Sequence, residues 1–388
     1  MVFFSTKCHR VAVSKFSDSL PQKAKNECVH LEWIDTTKCL TMILVIIGHC
    51  SYYNIITDYG YINYIAIGDN VSITHKLLSL IVGFIYSFNM PLFMFVSGMC
   101  FSIGRDKRPS FAPFVVNKYK RLIIPFALTT TFLSVPIKLL SGYYSQSENI
   151  LEDIIFGQYL LMGNSHLWFV VALFGIFILA YFIEQRKMHA HTFFWVILLI
   201  ISWIGLWHKT PSVLSINAVL RHLIFFMSGY VLFDIANRTI IKKKYMMLSW
   251  MAFGLIWIVY NRIFGSELLP SVYRKFMYFP SYSVFAFWGI FNMVFTCKLI
   301  SLNKIIMNNP LYQYMKNNSY QLYLFSDPFN YAIIAIIAGT IGPIWESDLL
   351  SLFSFTIRAV GTFILACVII SLLHKINKLR LCKQSTII

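Results

Sequence analysis

LEWIDTTKCLTMILVIIGH, residues 31–49, leads into the first long apolar run of the chain. Ten residues separate Lys38 from His49 within this stretch. Eleven helical steps of about 100° return almost to the starting face and rise roughly 16 Å, so the two side chains share one stripe of a helix. The stretch therefore predicts a membrane helix with a cation near the membrane surface and an imidazole about half-way through the bilayer. That spacing suits a long ligand with a charged head and a reactive tail.

The composition is that of a membrane protein. Of the 388 residues, 57% are hydrophobic and 13% are charged, and the mean hydropathy is +0.65. This leaves too little polar surface for a soluble globule of this size. We predict an all-α polytopic membrane protein with about ten transmembrane helices, the ninth of which is broken around Asp327 and Pro328. The predicted spans are 39–56, 77–103, 122–142, 166–184, 192–207, 219–236, 246–262, 282–300, 319–341 and 350–373.

The net charge of +17 is explained by membrane topology. If the loops are assigned alternately, starting inside, the basic clusters all fall on the cytosolic side and the opposite loops carry mainly acidic residues, as the positive-inside rule expects. The clusters are residues 105–108, 118–121, 242–244 and 375–383. We therefore predict a multi-pass protein of the inner or plasma membrane with both termini in the cytosol, and we do not expect nucleic-acid binding.

A single membrane domain accounts for most of the chain. Residues 1–30 are mixed and charged, without the apolar core of a signal peptide, and are predicted to be a cytosolic N-terminal segment. The membrane domain is predicted over 31–374, followed by a basic cytosolic tail at 375–388. The eight cysteines are scattered and form no CxxC pair, so no disulfide framework and no metal site is predicted.

Ionisable groups at membrane depth point to function, because burying them is costly. His49 is the first candidate for catalysis, although a neutral imidazole bonded to a neighbouring helix would explain it as well. Lys38 alone could be a snorkelling anchor. Lys118, Lys120 and Arg121 run directly into an apolar segment, which brings them to the same predicted interface as Lys38. Together, these four cations could hold phosphate groups.

Five further polar residues are candidates for a supporting role or for the path of an acceptor. Asn89 precedes Met90-Pro91, Asp327 precedes Pro328, and Arg358 lies inside the last predicted helix. Arg358 and Asp327 could instead be a structural ion pair across the last two helices, and His166 could be an interfacial anchor. The full set is Asp35, Asn89, His166, Asp327 and Arg358.

Four sequence blocks, in this order, resemble the acyltransferase-3 family of integral membrane acyltransferases, which includes bacterial O-acetyltransferases of surface glycans. The first block, with Lys38 and His49, resembles the family's basic-X10-His signature. The others resemble its second-helix block, its basic RxxR block and its fourth-helix Leu-Trp-Phe segment; they are SFNMPLFMFVSG (87–98), KYKRLIIPF (118–126) and HLWFVVAL (166–173). The resemblance covers Trp33 to about His374.

Two positions depart from the family pattern. Many relatives have histidine where this chain has Asn89, and a late Tyr-Leu-x-His-x-Pro where this chain reads YLFSDP at 323–328. Any role of those histidines must be absent here or be taken over by Asn89 and Asp327. The first-helix signature is intact, with Lys in place of the commoner Arg.

The resemblance implies transfer of an acetyl or other short acyl group from acyl-CoA to a hydroxyl of a cell-surface polysaccharide, such as lipopolysaccharide or capsule, or of its lipid-linked precursor. Acyl-CoA would be a co-substrate, with no bound cofactor, and its phosphates would lie at Lys38, Lys118, Lys120 and Arg121. His49 would be a general base or a nucleophile. The acyl group must reach an acceptor that can lie across the membrane, and any hand-off to a partner protein would need a separate chain.

Two other function classes fit a polytopic chain with buried ionisable residues. A transporter or flippase for an anionic or glycan substrate would use Lys38 and His49 as a proton-coupled relay, but corresponding broken segments in two halves are not detected. A glycan polymerase would need large basic outer loops, whereas the predicted outer loops are modest and acidic. Acyl transfer is therefore the favoured function.

Overall fold

The structure, a computed structural model, describes residues 31–51, 54–63, 71–207, 212–264, 271–341 and 345–385. The predicted cytosolic segment 1–30 lies outside the described residues. The helices within these ranges are α1 (Glu32–His49), α2 (Ile73–Tyr86), α3 (Asn89–Ile103), α4 (Phe111–Lys118), α5 (Ile124–Thr129), α6 (Val135–Leu140), α7 (Ile150–Ile154), α8 (Trp168–Gln185), α9 (Thr192–Trp207), α10 (Ile216–Arg238), α11 (Lys243–Phe264), α12 (Ser271–Ser301), α13 (Lys304–Met307), α14 (Pro310–Ile341) and α15 (Asp348–Ser385). Two strands, β1 (Asn54–Thr57) and β2 (Gly60–Asn63), form an antiparallel hairpin.

The chain is a multi-pass, essentially all-α membrane protein. Eight helical segments of the described residues are long and apolar enough to cross a membrane. They are Ile73–Ile103, Phe111–Leu140, Trp168–Gln185, Val213–Arg238, Lys243–Phe264, Phe276–Ser301, Pro310–Ile341 and Asp348–Ile376. Each overlaps a predicted span. The other two predicted spans correspond to α1 and to the shorter apolar helix α9, so the count of ten stays a prediction.

The first predicted span, 39–56, is wrong at both ends. The helix begins at Glu32, where acidic residues of the first turn face the positive end of the helix dipole. It ends at His49, because the chain turns there into the β1–β2 hairpin. Thr57 pairs with Gly60 across a two-residue turn, and Gly60 has a φ of +99°, a conformation that glycine adopts without strain.

The span Ile73–Ile103 is interrupted between α2 and α3. Ser87 and Phe88 form a turn there, and Pro91 follows in the first turn of α3, where its missing N–H leaves no helical bond unmade. Tyr86, the last residue of α2, packs against Gly48: a Cβ at Gly48 would lie 2.8 Å from the Tyr86 hydroxyl oxygen. The break therefore lies beside the C-terminal end of α1.

The buried centre of the bundle forms around α3, which packs against α1, α10 and α12. Gly98 and Gly229 bring α3 and α10 into backbone contact: a Cβ at Gly98 would lie 1.9 Å from the carbonyl oxygen of Phe226, and one at Gly229 would lie 1.9 Å from that of Phe95. Only glycine allows such an approach. This contact fixes the position of α3 against α10.

Two further segments, the Phe111–Leu140 span and α14, carry site residues. π-helical turns at Tyr119–Ile123 and Thr130–Ser134 join α4, α5 and α6 into one rod, Phe111–Leu140. The ninth predicted span was expected to be broken, but α14 runs without interruption through Pro328. The helix tolerates this proline because a side chain from elsewhere in the fold takes up the backbone group that it frees, as described below.

Candidate active site

Three buried side chains meet beside the C-terminal end of α1. Nδ1 of His49 lies 2.8 Å from Oδ1 of Asp327, on α14. Nδ1 of His166, just before α8, lies 3.2 Å from Oδ2 of the same carboxylate. The side chains of His49, Asp327 and His166 are only 15%, 7% and 3% exposed. One carboxylate thus connects two imidazoles, and we refer to these three residues as the His-Asp-His cluster.

Pro328 explains how His166 reaches this depth. Proline has no N–H, so the carbonyl of Leu324, four residues earlier in α14, lacks its helical donor. Nε2 of His166 lies 3.1 Å from this carbonyl oxygen. The Tyr323 hydroxyl donates to the backbone carbonyl of His166. His166 is therefore held to α14 through both ring nitrogens and its backbone, rather than lying at the membrane interface as an anchor.

The carboxylate of Asp327 fixes the orientation of the His49 ring. With Nδ1 directed to Asp327, Nε2 on the opposite side of the ring carries the lone pair that a base or nucleophile needs. A buried carboxylate also stabilises the imidazolium that forms when Nε2 takes up a proton. The cluster therefore has the parts needed to remove a proton from a hydroxyl group or to attack a carbonyl carbon.

Arg358 and Asn330 hold the backbone of His49 in place. The His49 carbonyl accepts hydrogen bonds from Nδ2 of Asn330 at 2.8 Å and from Nη2 of Arg358 at 3.2 Å, while Nε of Arg358 donates to Oδ1 of Asn330 at 2.7 Å. His49 is the last residue of α1, where carbonyls lack helical donors and the helix dipole is negative. Arg358 thus caps α1, whereas Asp327 directs both carboxylate oxygens to histidines.

A cavity of about 270 Å³ lies between α1, α3, the Phe111–Leu140 rod, α8 and α14. Three cations, Lys38, Lys118 and Arg121, contribute to its wall. Five aromatic residues share the rest of the wall with smaller side chains; they are Phe93, Phe169, Phe177, Tyr320 and Tyr323. Such a cavity suits an anionic head group followed by a less polar chain.

The cations of the cavity are held in different ways. Lys38 is 3.1 Å from Asp35, one turn earlier on α1. Nζ of Lys118 lies 3.5 Å from the centre of the Phe177 ring. Arg121 follows on the adjoining π-helical turn. Lys120 is exposed and is not part of the cavity wall, because it points to a different side of the helix from Lys118 and Arg121. The predicted phosphate role of Lys120 thus has no support from the cavity.

An aromatic trio separates the cations from the His-Asp-His cluster. Phe93, Phe169 and Tyr323 have ring centres 5.1 to 6.2 Å apart. The Tyr323 ring lies 5.9 Å from that of His166. Tyr323, which lines the cavity, therefore also packs against the His-Asp-His cluster.

Asn89 is fully buried at the start of α3. Within the part of the chain that the structure describes, neither its carboxamide oxygen nor its nitrogen has a hydrogen-bond partner. Leaving such a group unsatisfied costs free energy, on the order of 1–3 kcal/mol. Asn89 is consequently a polar group that a ligand could satisfy.

The fold is that of a multi-pass membrane protein with a buried ionisable site. A family profile described as "Acyltransferase domain" matches residues 31–373, nearly the whole chain, and the chain belongs to the acyltransferase-3 family. This membership confirms the resemblance read from the sequence blocks and does not favour the transporter or polymerase reading. No curated protein and no solved structure matches the chain.

Sequence reasoning singled out most members of this site but not their pairings. Asn330 was missed, although it lies three residues after Asp327 on the same apolar helix, a spacing that puts both on one face. The role of His166 was also missed. Its signal was Pro328, because a proline inside a membrane helix frees a carbonyl that some other donor must satisfy.

Proposed function

We propose that this protein transfers a short acyl group, acetyl in the first instance, from acyl-CoA to a hydroxyl of a cell-surface polysaccharide or of its lipid-linked precursor. The observation that carries this proposal is the pairing of His49 with a buried carboxylate at one end of α1, with a cation-walled cavity around Lys38 near the other end. The family of the chain supports acyl transfer in general.

The cavity suits the donor. Lys38, Lys118 and Arg121 would hold the phosphates of CoA, and the aromatic wall would accept the pantetheine arm. The rise from Lys38 to His49 along α1, roughly 16 Å, is within reach of that arm. Because acyl-CoA is a cytosolic metabolite, this cavity would open to the cytosol, as the positive-inside pattern also predicts.

His49 would carry out the transfer through Nε2. As a base, it takes the proton of the acceptor hydroxyl while the hydroxyl oxygen bonds to the thioester carbon; the C–S bond then breaks and the imidazolium returns the proton to the CoA sulfur. As a nucleophile, Nε2 itself bonds to the carbon and the C–S bond breaks, so that CoA leaves as a thiolate; the hydroxyl oxygen then bonds to the acyl carbon as the C–Nε2 bond breaks, and the hydroxyl proton passes to the thiolate. Asp327 stabilises the charged ring in either route. Label that stays on the purified protein when the acceptor is omitted distinguishes the second route from the first.

The first test compares wild type with His49→Ala at equal abundance in membranes supplied with radiolabelled acetyl-CoA and the glycan fraction of the host. We expect at least a hundredfold less label in glycan for His49→Ala, because general acid–base catalysis contributes roughly 10²–10⁴-fold. His191→Ala is the matched control, since His191 is exposed at the start of α9. Equal labelling by His49→Ala and wild type would refute the catalytic role of His49.

A further inference from the structure

Asn89 has an unmet hydrogen-bonding capacity at the depth of the reaction. It is 0% exposed, and both polar atoms of its side chain lack a partner among the described residues. A buried carboxamide without partners destabilises the fold, so its presence calls for a ligand that supplies the missing bonds. The question is which group would lie against it.

The register between α1 and α3 places Asn89 level with His49. Lys38 on α1 and Cys100 on α3 interact and share the wall of the cavity. The two helices pack together. They run in opposite directions, since Gly48 at the end of α1 lies against Tyr86 just before α3. His49 lies eleven residues after Lys38, and Asn89 lies eleven residues before Cys100. Eleven residues return each helix to nearly the same face at the same rise of roughly 16 Å.

Two further contacts agree with this placement. Tyr86, three residues before Asn89, packs on Gly48 beside His49. Phe93 and Cys100 on α3 both line the cavity, and Asn89 continues their stripe one turn deeper than Phe93. The register therefore places Asn89 on the same stripe of α3 as the cavity-lining Phe93 and Cys100, at the depth of the imidazole.

We infer that Asn89 is a second catalytic residue, which stabilises the oxyanion of the tetrahedral intermediate in acyl transfer. This inference rests on the proposed function. When the new bond forms at the thioester carbon, the π electrons of the carbonyl move to its oxygen, and the N–H of the Asn89 carboxamide donates to this oxygen. When the C–S bond breaks, the carbonyl re-forms and CoA leaves; Asn89 neither gains nor loses a proton. The first turn of α3 adds positive dipole in the same place.

The test uses Asn89→Leu, which keeps the volume of the side chain and removes the donor. We expect kcat to fall roughly 10²–10³-fold, the usual effect of removing one oxyanion donor, with the KM for acyl-CoA nearly unchanged. Thermal stability should stay equal or rise, because the substitution removes a buried polar group that lacks partners. Asn89→His, which restores an N–H donor, should recover part of kcat.

Asn292→Leu is the matched control. Asn292 on α12 is also buried and its Nδ2 also lacks a partner among the described residues, but its Oδ1 accepts a hydrogen bond from the Ser249 hydroxyl, so its side chain is directed to α11. We expect its kcat to stay near that of wild type. The inference is overturned if Asn89→Leu keeps wild-type kcat, or raises KM alone, while His49→Ala is inactive; the proposed function then stands. If the wild type transfers no acyl group from any acyl-CoA, both fall together.

Discussion

Asp327 is the residue on which the site depends, because its two carboxylate oxygens contact His49 and His166. A carboxylate buried in a membrane bundle is costly, and two imidazoles at its two oxygens offset that cost. The same contacts orient the His49 ring. The two contacts of Asp327 therefore both stabilise the site and prepare His49 for chemistry.

Asp327→Asn should retain the shape of the side chain and lose its charge. We expect kcat to fall roughly 10²–10⁴-fold, because an amide can hold His49 in the wrong tautomer and does not stabilise an imidazolium. The KM for acyl-CoA should change little, since Asp327 does not line the cavity. The measurement is initial-rate kinetics with protein abundance matched by immunoblot. A kcat within threefold of wild type would refute the role of the carboxylate.

Helix α14 contributes more to the site than any other element. It provides Asp327, the freed carbonyl of Leu324 and Asn330, all within two turns. Pro328 makes this possible, because it removes one helical donor without ending the helix. The carbonyl that Pro328 frees thus holds the segment before α8 through its contact with His166.

Pro328→Ala tests this role of the freed carbonyl. The new N–H at position 328 would donate to the Leu324 carbonyl and compete with Nε2 of His166. We expect α14 to become more stable and kcat to fall about fivefold, as the loss of one hydrogen bond of about 1 kcal/mol implies. Thermal unfolding and transfer rates measured on the same preparation check both signs. A substitution that lowered stability and left kcat unchanged would contradict the account. Leu322→Ala, an ordinary packing change in the same helix, is the control.

The cation-walled cavity exists only in the assembled bundle, since its three cations come from α1 and from the Phe111–Leu140 rod and its aromatic residues from α3, α8 and α14. No single helix has such a cavity. Under the proposed function, the KM for acyl-CoA should therefore depend on the cations that line this cavity, and not on neighbouring cations that lie outside it.

Arg121→Ala and Lys120→Ala are neighbouring charge deletions with different predicted outcomes. We expect Arg121→Ala to raise the KM for acyl-CoA about tenfold, as loss of a hydrogen bond between charged groups implies, with the KM for glycan unchanged. Lys120→Ala should change either KM by no more than about twofold, because Lys120, unlike Arg121, does not line the cavity. Equal effects of the two variants would mean that Arg121 acts only through general charge.

The sequence predicted what is local and missed what is distant. Lys38 and His49 share one helix, so helix geometry alone places them on one stripe. The membrane class followed from composition in the same way. Asp327 and His49 are far apart in sequence, and their pairing depends on how α1 and α14 pack, which no local sequence pattern predicts. Lys120 was grouped with Arg121 because adjacent residues look alike in a charge pattern, while the side of the helix that each occupies depends on packing.

The backbone contact between α3 and α10 at Gly98 and Gly229 limits the motions that these two helices can make. Any sliding or turning of α3 past α10 would bring a residue with a Cβ into a gap that has no room for one. Helix α3, which carries Asn89, is then fixed against α10 and does not open or close the site. Under the proposed function, an acceptor arriving from the other face would have to be admitted by other segments, and the small acyl group would move past a stationary α3.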